Sequence, residues 1–90
     1  MPRLTDDQAR EREAALDGWE LRGTEIRKQY KFGDFKGAMS FVNRVAAPAE
    51  GMDHHPDILI EYDRVTLALT SHDSGGLTER DFRLARKTDG

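Results

Sequence analysis

The sequence predicts an α+β two-layer sandwich in the order αββαββα, a four-stranded antiparallel sheet with helices on one face. Two observations carry that expectation. The apolar repeat alternates along the chain between a period near 3.6 and a period of two, and each two-period region contains a short break suited to a hairpin.

Thr5-Asp6-Asp7-Gln8 fits a capping box and opens a first helix expected to run to about Leu16, where Gly18 ends it. Trp19-Glu20-Leu21-Arg22 alternates, Gly23-Thr24 supplies a turn, and Ile26, Tyr30 and Phe32 place one apolar face on a second strand. Asp34 is a plausible N-cap for a helix whose apolar stripe is Phe35, Ala38, Met39, Val42, Val45 and Ala46. Pro48 lacks the donor a continuing helix uses, so this helix is expected to stop near Ala47 or restart with a kink. Ile58, Ile60 and Tyr62 alternate with Leu59 and Glu61, Asp63-Arg64 reads as a two-residue connection, and Val65, Leu67 and Leu69 form the buried series of a fourth strand. Ser74-Gly75-Gly76 breaks that strand. Thr78 then caps a last helix, with Leu77 placed to staple against Phe82 and Asp81 able to complete the cap.

Ninety residues make one domain with a small core, residues 1–90, and oligomerisation is the expected supplement to its stability. The absence of cysteine excludes disulfides and thiolate metal sites. No apolar run approaches the ~20 residues of a membrane span, and the N-terminus lacks a signal-peptide core, so a cytoplasmic protein is expected. The net charge of −3 is uneven: residues 1–45 hold nine bases against eight acids, residues 46–90 five against nine. A nucleic-acid partner is not expected, because such proteins gather Lys and Arg on one face.

All three histidines fall in that acidic half, as His54-His55-Pro56 and His72, with Glu50 and Asp53 just ahead of the pair. Imidazoles titrate near neutral pH, and a cluster of them beside carboxylates suits proton transfer. On a helix, Glu50 and His54 would share a face four residues apart, letting the carboxylate orient the ring; a surface ion pair at a helix end is the plainer alternative. Pro56 restricts His55 to an extended conformation. His72 is expected at the end of the last strand, out of phase with the buried Val65, Leu67 and Leu69. None of these pairs has the His-x-x-x-His or His-x-His spacing that chelates zinc well, so no metal is expected. No nucleophile elbow surrounds Ser71 or Ser74.

Phe32-Gly33-Asp34-Phe35-x-x-Ala38-x-x-Phe41, Glu50-x-x-x-His54-His55-Pro56, Tyr62-x-x-Val65, Leu69-Thr70-Ser71-His72-Asp73 and Gly76-Leu77-Thr78-x-x-Asp81 occur in this order. Together they resemble the pterin-4a-carbinolamine dehydratase family from about Trp19 to Ala85. The resemblance implies the αββαββα fold, assembly as a homodimer or homotetramer, and removal of water from 4a-hydroxytetrahydropterin to give quinonoid dihydropterin without metal or organic cofactor. That reaction belongs to tetrahydrobiopterin recycling and would couple the chain to an aromatic amino-acid hydroxylase. By resemblance His54, His55 and His72 line the pterin site, Glu50 assists the proton transfers, and Asp53, Thr70, Ser71 and Asp73 contact the substrate. The resemblance also implies a runner-up, a non-catalytic module of the same fold acting through protein contacts, since animal members assist a homeodomain transcription factor and a divergent branch resembles a carboxylase assembly factor. The complete histidine set favours the enzyme.

Overall fold

A computed structural model describes residues 2–89. The elements are α1 (Asp6–Ala14), β1 (Glu20–Arg22), β2 (Glu25–Lys31), α2 (Phe35–Gly51), β3 (Asp57–Glu61), β4 (Arg64–Leu69), a 3₁₀ turn (His72–Ser74) and α3 (Glu79–Asp89). The strands form one antiparallel sheet in the order β1-β2-β4-β3, and the fold is the expected α+β sandwich.

The pairing register explains why one sheet face is dry. Ile26 lies opposite Leu69, Tyr30 opposite Val65 and Ile58 opposite Leu67, so the apolar series of three strands share a face. Ile26, Val65, Leu67 and Leu69 are buried there with Phe82, Leu84 and Ala85 of α3. The opposite face carries polar pairs such as Gln29 and Thr66, whose side chains hydrogen-bond at 3.4 Å. β3 is an edge strand, which leaves Leu59 54% and Ile58 38% exposed.

The caps form as the sequence implies. Thr5 and Gln8 complete a capping box on α1, and the Asp34 carboxylate accepts from the Gly37 amide at 2.8 Å on α2. On α3 the Thr78 hydroxyl accepts from the Arg80 amide at 3.3 Å while the Asp81 carboxylate accepts from the Thr78 amide at 2.9 Å.

Five expectations need correction. α1 ends at Ala14, two residues early, because Ala15 and Leu16 bond back only three residues and tighten the chain out of the helix. The buried stripe of α2 is Ala38, Phe41, Val45 and Ala49; Phe35 is 50% exposed at the first helical position and Ala46 is exposed. α2 does not stop near Ala47 but runs through Pro48 to Gly51. Proline in the last turn removes only one intrahelical donor, and the Met52 amide still donates to the Pro48 carbonyl at 3.0 Å. The second hairpin turns at Tyr62-Asp63, with Tyr62 at φ +54°, because Arg64 is already paired with Glu61 and Lys31 in the sheet. His72 has left β4 and opens the 3₁₀ turn, which closes at Gly75 with φ +75°.

Candidate active site

The C-terminus of α2 determines where the paired histidines go. The Asp53 amide donates to the Glu50 carbonyl at 3.1 Å and the His54 amide to the Ala49 carbonyl at 3.0 Å, with Asp53 at φ +49°. This is a Schellman closure with aspartate at the left-handed position that glycine usually fills. It ends the helical repeat before His54, so the expected Glu50–His54 pair is not made. Instead the chain reverses, sending His54 inward and His55 back over the helix end.

His54 is 7% exposed, and its Nε2 lies 2.5 Å from Oδ1 of the fully buried Asp81. The second oxygen of Asp81 accepts from Ser71 Oγ at 2.9 Å and from the Thr78 amide at 2.9 Å, and the Ser71 and Thr78 hydroxyls are 2.9 Å apart. A carboxylate surrounded by donors on one oxygen presents the other as an acceptor. That oxygen suits the His54 tautomer with its proton on Nε2, which leaves Nδ1 as a hydrogen-bond acceptor. Asp81 and Thr78, expected only as cap residues of the last helix, also hold His54 and Ser71 here. Their Thr-x-x-Asp spacing is a helix-cap signal, and nothing in it points to a histidine 27 positions away.

His55 Nε2 lies 2.5 Å from Glu50 Oε1, both side chains largely exposed. They border a shallow apolar depression of ≈ 150 Å³ with Val45, Ala49, Pro56 and Ile58. His72 is exposed and lines a different pocket of ≈ 290 Å³ with Thr70, Asp57, Glu25, Gly75 and Gly76. The Thr70 hydroxyl there donates to the Thr24 carbonyl at 2.5 Å. Asp73 is gripped through both oxygens by Arg80 Nη2 at 2.9 and 3.0 Å, and that guanidinium holds its carboxyl below the usual range.

The expected site residues therefore gather at the end of the sheet where β3 begins and β4 ends, but not around one depression. Asp81 joins His54 to Ser71; Thr70 and His72 share a pocket; Glu50 and His55 share another. Ser71 is 1% exposed and bonds inward, so it braces Asp81. Asp53 is exposed at the α2 closure. Among the described residues no three or more His, Asp or Glu side chains converge as metal ligands.

A sequence profile of the pterin 4 alpha carbinolamine dehydratase family matches residues 2–90. The chain belongs to this family. A relative from Acidobacterium capsulatum, named "Putative pterin-4-alpha-carbinolamine dehydratase", is 54% identical over 85 residues, covering 94% of this chain and 92% of that protein. One of the same name from Sulfurisphaera tokodaii is 45% identical over 89 residues, covering 99% and 96%. In three dimensions the dehydratase-family fold recurs in a transcriptional coactivator/pterin dehydratase from Brucella melitensis, with TM-score 0.91, 40% identity and coverage of 97% of this chain and 95% of that one. A pterin dehydratase-like RuBisCO assembly factor of the alpha-carboxysome aligns with TM-score 0.69 at 24% identity over 80% and 86%, a likeness of fold alone.

Proposed function

We propose that this chain dehydrates a 4a-hydroxytetrahydropterin to quinonoid dihydropterin by histidine acid–base catalysis. In that reaction the C4a–O bond breaks with its electron pair on oxygen and a delivered proton turns the leaving group into water. The ring N–H proton is removed as the C=N bond forms. The step needs one acid and one base of moderate strength, and no oxidant or reductant.

The buried His54–Asp81 pair carries the reading. A 2.5 Å contact from a carboxylate that already holds Ser71 and Thr78 favours one imidazole tautomer and one ring orientation, with Nδ1 as the acceptor of the ring proton. His72, exposed beside Thr70, is the acid at the departing oxygen, and the two exchange roles in the reverse direction. His55 with Glu50 orients the substrate from the α2 side, while Asp53, Thr70 and Asp73 supply polar contacts. Ser71, Thr78 and Asp81 are positioning residues. The unpaired β3 edge with its exposed Ile58 and Leu59 supports association into a dimer or tetramer. The product suits recycling of a tetrahydrobiopterin-type cofactor beside an aromatic amino-acid hydroxylase.

The test follows, by absorbance, the decay of 4a-hydroxytetrahydropterin generated in situ by an aromatic amino-acid hydroxylase. Catalytic amounts of the chain should accelerate decay well beyond the spontaneous rate. Decay at the spontaneous rate would overturn the reading and favour the non-catalytic module.

A further inference from the structure

A cavity of ≈ 820 Å³ with no histidine on its lining lies between β2, α2 and the end of α3. Its volume falls within the roughly 300 to 1,000 Å³ of small-molecule sites. Its wall is a run of aromatic rings in mutual contact: Tyr30 and Phe41 have centroids 4.4 Å apart, and Phe32 and Phe41 5.1 Å. Arg44 sits over the Phe41 ring at 5.8 Å, so a cation already borders this apolar surface.

Most polar groups of the wall are committed to one another. The Tyr30 hydroxyl donates to Asp89 at 2.5 Å, and Lys28 and the Trp19 indole donate to the same carboxylate at 2.9 and 2.8 Å. Lys28 also bonds the Asp17 carbonyl at 2.7 Å. These contacts fix the Tyr30 ring and neutralise Lys28, whose ammonium also lies 4.9 Å from the Tyr30 centroid; Phe41 is 5% exposed, so the half-buried Tyr30 and Phe32 are the rings that present surface to the cavity. Three charged side chains on the lining have no oppositely charged partner among the described residues, the cations Arg44 and Lys87 and the anion Asp17. The lining as a whole holds Lys28, Arg44 and Lys87 against Asp17 and Asp89, a positive excess in a chain whose net charge is −3.

We infer that this cavity is a second ligand site, built for a flat aromatic ring bearing one negative charge, such as an aromatic carboxylate. The ring would lie against the half-buried Tyr30 and Phe32, which Phe41 backs from the core, gaining offset or edge contacts of the kind those rings make with each other. The anion would meet Arg44 and Lys87, where charge-assisted bonds are stronger than neutral ones. A cationic or uncharged ring would gain the stacking and lose that pairing.

The test titrates the isotopically labelled full chain with 2-naphthoate, 2-naphthamide and 2-naphthylmethylammonium, reading amide shifts by NMR. Naphthoate should move the amides of residues 28–32, 41–47 and 86–89 in a saturable way, with affinity falling as salt rises. The amide and ammonium analogues should bind about tenfold or more weakly, the loss expected for one charge-assisted hydrogen bond. Arg44→Gln combined with Lys87→Gln, at two exposed positions, should reduce the preference for naphthoate by about tenfold while the rest of the amide spectrum stays that of the folded chain. Equal affinity of the three probes, shifts confined to the histidine end, or no saturable shift would overturn the inference. None of these readouts involves pterin turnover, so its failure is separate from failure of the dehydratase reading.

Discussion

Replacing Asp81 by asparagine separates its roles in stability and catalysis. The carboxylate accepts from His54 on one oxygen and from Ser71 and the Thr78 amide on the other, with no exposed surface. Asp81→Ala leaves these donors without an acceptor inside the protein. Breaking a buried pair of this kind costs about 3 to 5 kcal/mol, a large fraction of the roughly 5 to 15 kcal/mol that a domain has in total. Asp81→Asn keeps the volume. Its amide oxygen can still accept from Ser71 and Thr78, so the stability loss should be nearer 1 to 2 kcal/mol. The amide nitrogen then faces His54 Nε2 and donates, which drives the imidazole proton to Nδ1 and removes the base. Turnover should fall by about 10² to 10⁴, the worth of a general base, while KM changes much less. Urea denaturation followed by circular dichroism gives the first quantity and the pterin decay assay the second. Wild-type kcat in a folded Asn variant would refute the proposed role of the pair.

His54→Ala and His72→Ala should each lower kcat about a hundredfold or more in the same assay, and unchanged turnover in both would remove the acid–base assignment. Glu50→Gln should change stability by less than about 1 kcal/mol by urea denaturation, because its pair with His55 is largely exposed, and should cost far less activity than Asp81→Asn. Pro48→Ala restores one intrahelical donor in the last turn of α2 but frees the unfolded chain, so the two effects should nearly cancel and stability by urea denaturation should change by less than about 1 kcal/mol. Burial alone would raise the Asp89 carboxyl, but donors from Tyr30, Lys28 and Trp19 outweigh it and hold the group below its ordinary range. Its stabilising contribution is therefore present above about pH 4 and lost as acid approaches the lower folded value, and Asp89→Asn should flatten the acid limb of stability against pH. Tyr30 moves the other way: burial and the Asp89 contact raise its phenol, so stability should decline above about pH 10 as unfolded chains ionise, and Tyr30→Phe should reduce that decline.

The fold was legible because local signals agreed. The capping residues Thr5, Asp34 and Thr78, the alternation of Val65, Leu67 and Leu69, and the switch of period between elements all depend on near neighbours. Pro48 misled because its cost depends on its position within the helix, and in the last turn it is small. The site was legible in its residue types and less so in its pairings. Glu50 and His54 have helical spacing, but the closure at Asp53 breaks that phase one residue before it matters. Asp81 carried a sufficient local explanation as a cap, and its contact with His54 exists only because α3 packs against the end of α2.

The claim that the histidines form a pterin site is tested most directly by a crystal structure of the chain with a dihydropterin that lacks the 4a-hydroxyl. The account predicts the ring at the β3–β4 end of the sheet, with His54 Nδ1 and His72 within about 2.6 to 3.2 Å of its edge or one water away. A pterin seated elsewhere, for instance against Tyr30 and Phe41 with both imidazoles out of reach, would contradict it.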